Sequence, residues 1–307
     1  MHRFLLHNDE IRDARDRIVS PGQLGLMNGW GVFSTLRIYD GVMFAWERHF
    51  ARMQRDAERL RVPFPQDSEW LKTRLDRLIE KNEAWNATLR VVIVRNRGGE
   101  WLKLWEGPGI DREFDAIAFT GDVNRWSADA AWPGVRLGVI ANARYAANEF
   151  AGVKYLAWSQ NLTWFERAHE QGFDEVVLLN ERGEVAECTS ANIFAVNGLA
   201  VNGIQISTPP LASGCLAGVT RATLLEDVQI DGVRIAEKTL TLEDLESADE
   251  LFITSTTREL LPVASIEGLH LRESHKPRES VRERLQKAFG EHVRAYISTR
   301  RAMPAVR

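Results

Sequence analysis

Cysteine is scarce: Cys188 and Cys215 are the only two in 307 residues. That excludes a disulfide framework and suits a reducing, cytoplasmic setting. No apolar run approaches ~20 residues, so no membrane span is expected. Met1 to Glu10 mixes charge, histidine and a short apolar run, without the basic-then-apolar pattern of a leader. No long basic run occurs, and the net charge is −4 from 39 basic and 43 acidic residues, so no nucleic-acid partner is expected. The seven histidines show no metal-like spacing with carboxylates, and the two cysteines form no CxxC pair, so no metal is expected. There is no Gly-x-Ser-x-Gly elbow, no Walker-type phosphate loop and no fixed-period repeat.

What is present suits a globular protein of two domains. Hydrophobic residues make up 44% and charged residues 27%, enough to bury sizeable cores. Residues 32–39 alternate as a strand, Asp40-Gly41 is a tight-turn pair, and Val42 to Trp46 follows as the return strand. Phe50, Met53, Ala57 and Leu60 recur at helical spacing and predict a helix over 47–61. A second helix is predicted over 68–81, with Leu71, Leu75 and Leu78 inward. Strands follow at 89–94 and 114–119. Residues 121–134 cluster Gly, Asp, Asn, Ser and Pro and mark a boundary between a small domain, 1–120, and a larger one, 135–307. The larger one opens with a strand at 135–141. A helix over 159–171 then ends at Gly172, and strands come at 175–179 and 184–188. Ile193 to Val196, Asn197-Gly198 and Leu199 to Val201 form a second tight hairpin. Helix 219–227, strand 250–254 and a long closing helix, 279–297, complete the pattern. The fold class is α+β, each domain a mainly antiparallel sheet with flanking helices.

Four segments carry chemistry-bearing residues. Lys154 sits among small and apolar neighbours, Gly152-Val153-Lys154-Tyr155. A desolvated lysine has a lowered pKa and attacks aldehydes, though one lysine among many is more often a surface charge. Glu187 opens a polar cluster, Glu-Cys-Thr-Ser-Ala-Asn, between two apolar strands. A buried carboxylate there needs a cationic partner, or is simply a hydrogen-bonded strand end. Leu216-Ala-Gly-Val-Thr220 places Gly and Thr at a helix start, equally an anion site or an ordinary cap. Thr254-Ser-Thr-Thr257 runs four hydroxyls off a strand, either an anion-binding turn or a solvated one.

In this order and spacing the segments resemble the fold-type IV pyridoxal-phosphate family of branched-chain and D-amino-acid aminotransferases, (R)-selective amine transaminases and aminodeoxychorismate lyase. The resemblance runs from Gly29-Trp-Gly-Val-Phe-Ser-Thr-Leu-Arg37, through Glu47-Arg-His-Phe-Ala-Arg-Met53, Lys154, the Glu187–Phe194 stretch and Gly218-Val-Thr-Arg221, to Ser255-Thr-Thr-Arg-Glu-Leu-Leu-Pro262. It implies that Lys154 holds the cofactor aldehyde covalently and moves the substrate α-proton. It implies that Glu187 pairs with the pyridine nitrogen, so that the ring accepts the electrons left at Cα. It assigns Arg52, Val219, Thr220 and Thr256 to the phosphate, and Leu216 to one ring face. Phe33, Arg37, Arg90, Thr256 and Thr257 become the candidates for substrate, with Arg90, Arg37 and the Thr256-Thr257 turn meeting its carboxylate. Arg95 and Arg97 are either further carboxylate ligands or solvated loop charges. The implied activity is transamination between an amino acid, of branched-chain type, and a 2-oxo acid, by a homodimer with active sites at the subunit interface.

Departures keep other readings open. Trp158 and Ser159 stand where several relatives carry an aromatic residue or Asn against the cofactor ring. Thr35 replaces the Gly usual in branched-chain enzymes. Phe33-Ser-Thr-Leu-Arg37 and Glu187-Cys188 are closer to the lyase, which releases pyruvate and p-aminobenzoate. Ser255-Thr-Thr257 is closest to the D-amino-acid enzymes, and a D-amino-acid or (R)-amine transaminase is a further alternative. A catalytically silent cofactor-binding protein on the same fold is the alternative of another class.

Overall fold

The computed structural model describes residues 1–98, 110–123, 132–198, 203–272 and 280–301. The chain divides into two compact units, one of Met1–Asn124 with Val153–Trp158 and Tyr296–Arg307, the other of Arg125–Gly152 with Ser159–Ala295. Most of the expected boundary stretch, residues 124–131, lies outside the described residues.

In the first unit β1 (Phe4–His7), β2 (Glu10–Asp13), β3 (Gly31–Tyr39), β4 (Val42–Met43), β5 (Ala87–Arg95) and β6 (Phe114–Gly121) form one sheet, in the order β2-β1-β6-β5-β3-β4. Every neighbouring pair is antiparallel. Helices α1 (Leu24–Asn28), α2 (Trp46–Arg59) and α3 (Ser68–Lys81) accompany it. The β3–β4 turn is built as its sequence demands: Asp40 and Gly41 both have positive φ, 50° and 82°, the geometry that matches strand twist. The return strand is shorter than expected. It stops at Met43, because Ala45 takes a left-handed conformation (φ 53°) and Trp46 already opens α2. Helix α3 has the expected bounds, with the Asp67 carboxylate accepting from the Glu69 amide at 2.9 Å. The core joins Leu36, Ile38, Leu89 and Ile93 of the sheet to Met53, Leu71, Leu75 and Leu78 of the helices.

In the second unit β7 (Val135–Arg144), β8 (Glu175–Asn180), β9 (Val185–Cys188), β10 (Asn192–Asn197), β11 (Ile204–Thr208), β12 (Val233–Glu237), β13 (Glu250–Ser255) and β14 (Glu259–Ile266) form an eight-stranded sheet, ordered β12-β11-β10-β13-β14-β7-β8-β9. Pairs β11–β12, β14–β7 and β7–β8 are parallel and the rest antiparallel. Helices α4 (Ser159–Glu170), α5 (Val219–Glu226), α6 (Leu242–Glu246) and most of α7 (Val281–Arg301) belong here. The fold class is therefore α+β, with antiparallel-rich sheets. One hairpin differs from expectation: Val196 pairs with Ile206, not with a residue two beyond the Asn197-Gly198 turn. The alternating Ile204-Gln-Ile-Ser-Thr208 segment makes the better ladder partner; the expected return strand, Leu199 to Val201, lies outside the described residues. Among the described residues no helix is long and apolar enough to cross a membrane.

Candidate active site

Lys154 lies in the first unit although it follows the strand β7 of the second. Its segment is laced to β3. The Phe33 amide donates to the Lys154 carbonyl at 3.2 Å, and the Leu156 amide to the Gly31 carbonyl at 2.9 Å. Only glycine fits at Gly31, where a Cβ would come within 2.5 Å of the Ile93 carbonyl oxygen and 2.6 Å of Leu156. The Lys154 amide donates to Asp56 Oδ2 at 3.1 Å, which ties the lysine backbone to α2. The half-buried side chain sets Nζ 4.6 Å from the Phe33 ring centroid and 5.7 Å from that of Trp158. These rings meet edge to face.

Strand alternation sorts the neighbouring side chains. Val32, Ser34, Leu36 and Ile38, all fully buried, share one face of β3. Phe33, Thr35 and Arg37 share the other, with Arg90 of β5 directly across from Thr35. Arg90 Nε donates to Thr35 Oγ1 at 3.4 Å, and the guanidinium sits 4.8 Å from the Phe33 ring centroid. Burial lowers its pKa. Arg37 is engaged differently. Its Nη1 donates to the carbonyls of Ile38 (2.5 Å) and Ala87 (2.9 Å), with the guanidinium over Tyr39. Arg95 likewise serves local structure, bonding the Arg97 carbonyl at 2.6 Å and stacking on Trp30.

Helix α2 brings a polar edge that helical periodicity of apolar residues could not reveal: His49, Arg52 and Asp56, all buried. Arg52 Nη2 donates to Ser34 Oγ at 2.7 Å, so the Ser34 hydroxyl is free to donate to His49 Nδ1, also 2.7 Å away. Burial pushes the Arg52 guanidinium down to about 10, partly offset by Asp56. Burial, then the charges of Arg52 and Lys154, hold His49 well below its ordinary value near 6.5. A histidine kept neutral in the fold adds nothing differential above that value. Below it the unfolded chain gains a proton that the folded chain refuses, so stability falls with pH. Urea midpoints at pH 7.5 and 5.5 should show wild type losing up to about 1.4 kcal/mol per unit below ~6.5, a loss that a His49→Asn variant lacks.

In the second unit Glu187 projects from β9, paired with Leu178. Its Oε1 accepts from Arg144 Nε at 3.0 Å, and its Oε2 from the Leu216 amide at 3.0 Å. Arg144 Nη2 donates to Asn161 Oδ1 at 3.2 Å, and Asn161 Nδ2 to the Thr189 carbonyl at 2.9 Å. Arg144 and Asn161 are site residues that sequence reading missed; each lies in an ordinary polar context, and only pairing of β7 beside β8 exposes their role. Helix α5 opens at Gly218 with no side-chain cap. A Cβ there would fall 2.1 Å from Asn192 Oδ1, so any larger residue would have to displace the Asn192 side chain. Val219 and Thr220 are buried, while Leu216, Thr256 and Thr257 are half-buried. Among the described residues the buried hydroxyls of Thr254 and Ser255 have no hydrogen-bond partner. Both cysteines are free and buried; burial raises the Cys188 thiol and takes that of Cys215 to about 12, so they are packing residues.

Residues 31–266 match the family model for amino-transferase class IV. A candidate branched-chain-amino-acid aminotransferase of Methanocaldococcus jannaschii is 31% identical over 273 residues, covering 85% of this chain and 87% of that protein. A D-alanine aminotransferase of Bacillus licheniformis is 27% identical, covering 86% and 88%. The solved branched-chain amino acid aminotransferase of Escherichia coli superposes with a TM-score of 0.82 at 26% identity, covering 95% and 94%. The chain belongs to the class IV aminotransferases. It is accordingly a pyridoxal-phosphate enzyme acting on an amino acid and a 2-oxo acid, and the silent-protein alternative falls away.

The residues present suit that cofactor. Within the first unit, the Lys154 amine lies beside two aromatic rings, and Arg52 is a buried guanidinium. Within the second, the Glu187 carboxylate takes, among the described residues, one bond at each oxygen, leaving lone pairs that suit a ring N–H. The second unit also supplies an uncapped helix start, where amides and dipole favour a phosphate.

Proposed function

We propose that the enzyme moves an amino group between a branched-chain amino acid and a 2-oxo acid, with Lys154 as the proton carrier. The bound cofactor supplies the electron sink for the pair left when the Cα–H bond breaks. Lys154 Nζ would take the proton from the substrate Cα, and the same amine would give it back. Glu187, held by Arg144 and the Leu216 amide, would keep a ring nitrogen protonated. Arg52, Val219, Thr220 and Thr256 would hold the phosphate, and Leu216 would pack on the ring. Arg90 and the Thr256-Thr257 turn take the substrate carboxylate.

The observation that carries this reading is the Arg90–Phe33 pair. A partly desolvated guanidinium with no carboxylate beside it among the described residues awaits an anion, and the ring beneath it leaves an apolar floor next to Lys154. Arg90 is favoured over Arg37, whose Nη1 is held by backbone carbonyls. An Arg90→Ala variant should raise KM for the amino acid about 10- to 100-fold, the worth of a charge-assisted pair, while melting like wild type. Steady-state kinetics beside thermal melts check this.

A second reading rests on the hydroxyl turn Ser255-Thr256-Thr257 and on the D-alanine aminotransferase relative: a D-amino-acid donor. Visible absorbance decides as L-leucine, L-glutamate, D-alanine, D-glutamate and aminodeoxychorismate are added separately. Loss of the yellow colour with L-leucine supports the branched-chain reading. Loss with D-alanine alone replaces it, and pyruvate release from aminodeoxychorismate supports the lyase. Two further parts of the proposal are a homodimer with active sites at its interface and a cytoplasmic location. Exposed Tyr145 and Phe150 suit a subunit surface, as free cysteines suit a reducing compartment; sedimentation equilibrium tests the dimer.

A further inference from the structure

Glu175 opens β8, and its side chain is fully buried. A carboxylate so placed is costly unless matched, and four donors converge on it. Arg258 Nη1 lies 2.8 Å away, Ser190 Oγ 2.5 Å and the Val176 amide 3.1 Å, and Thr189 Oγ1 donates as well. Two of these donors come from the segment that follows Glu187, and one from the turn between β13 and β14.

That turn is already closed without the ion pair. Ser255 pairs with Glu259 across a three-residue loop, and the Arg258 amide donates to the Ser255 carbonyl at 3.3 Å. Glu259 takes the left-handed conformation (φ 53°) that usually calls for glycine. Its carboxylate is held by Gln286 Nε2 at 2.5 Å, and the Leu260 amide by Gln286 Oε1 at 3.2 Å. A hairpin that only joined two strands would need none of this. The Glu175 cluster also continues toward Glu187. Thr189 offers its carbonyl to Asn161, Asn161 accepts from Arg144, and Arg144 donates to Glu187.

We infer that the buried Glu175–Arg258 pair is a positioning device for substrate, fixing the Thr256-Thr257 turn relative to the strand end that carries Glu187. Arg258 acts through the turn and does not itself bind the substrate carboxylate. The inference rests on the proposed role of Thr256-Thr257 in meeting that carboxylate.

Three holoenzyme variants test it: Arg258→Lys, Arg258→Met, and the double Arg258→Met/Glu175→Gln. Arg258→Met alone strands a buried charge and is expected to lower the melting temperature sharply, even to the point of failing to fold. The double variant removes both charges at nearly constant volume and should recover most of the melting temperature. Amide exchange across residues 255–259 should nevertheless stay several-fold faster than in wild type. KM for the panel acid with the largest response, L-leucine on the present reading, should rise about 10-fold with kcat much less changed, since a misplaced carboxylate ligand weakens binding of substrate and transition state alike. Arg258→Lys should regain part of both. Wild-type exchange and KM in the stable double variant would overturn the inference, leaving the pair a purely structural one. Faster exchange with an unchanged KM would overturn it too. Thr257→Ala separates the two ideas. An unchanged KM there removes the turn from substrate recognition, whereas a raised KM there, with a wild-type double variant, removes only the positioning role.

Discussion

Lys154→Ala should abolish transamination, lowering the turnover number by about 10⁴-fold or more, because one amine serves as both cofactor anchor and proton carrier. The variant should still fold. The Lys154 backbone bonds to Phe33 and Asp56 survive truncation, and the lost side chain is only half-buried. It should bind added cofactor without the yellow colour of the lysine adduct, and the cofactor should wash out on dialysis. Single-turnover absorbance with the responding amino acid, with and without added methylamine, checks this. A variant with wild-type turnover would move the chemistry to another lysine.

Glu187→Gln should cost about 10²- to 10³-fold in turnover, the range for removing one preorganised electrostatic partner. Glutamine still offers an oxygen to Arg144 or to the Leu216 amide, so the local packing persists. What is lost is the negative charge that favours a protonated ring nitrogen. The cofactor dissociation constant of the apoprotein should rise as well, a readout independent of turnover. Arg144 then keeps its charge without a carboxylate at 3.0 Å, so the melting temperature should drop modestly. If turnover falls only in proportion to unfolding, Glu187 is structural.

Much of the fold was legible because its signals are local. Helix α3 announces itself by the spacing of Leu71, Leu75 and Leu78, and the β3–β4 turn by Asp40-Gly41. The short strands β1, β2 and β12, at or next to the sheet edges, were not. β1 and β2 have four residues each and β12 has five, too few for a period to register. The second tight hairpin was misplaced because Asn197-Gly198 reads locally as a turn pair, whereas Asn197 is a ladder residue opposite Gln205, and the choice of Ile204–Thr208 as partner is a matter no local signal sets.

The site divides the same way. Lys154, Glu187, Gly218 and the hydroxyl turn stand out in sequence by residue type against apolar surroundings. Ser34, His49 and Asp56 do not, since each becomes meaningful only when α2 lies along β3 and a serine from one meets a histidine and an arginine from the other. Glu175 and Arg258 are 83 residues apart, and nothing in either neighbourhood signals a buried pair. Contacts of this kind depend on sheet order, which no local pattern encodes.

The most direct test of the account is to reduce the yellow holoenzyme with borohydride, which makes the lysine–cofactor bond permanent, and to map the label by peptide mass spectrometry. The result expected is a single phosphopyridoxyl group on the peptide carrying Lys154. Label on a different lysine, or a protein that takes up pyridoxal phosphate without any covalent bond, would contradict it.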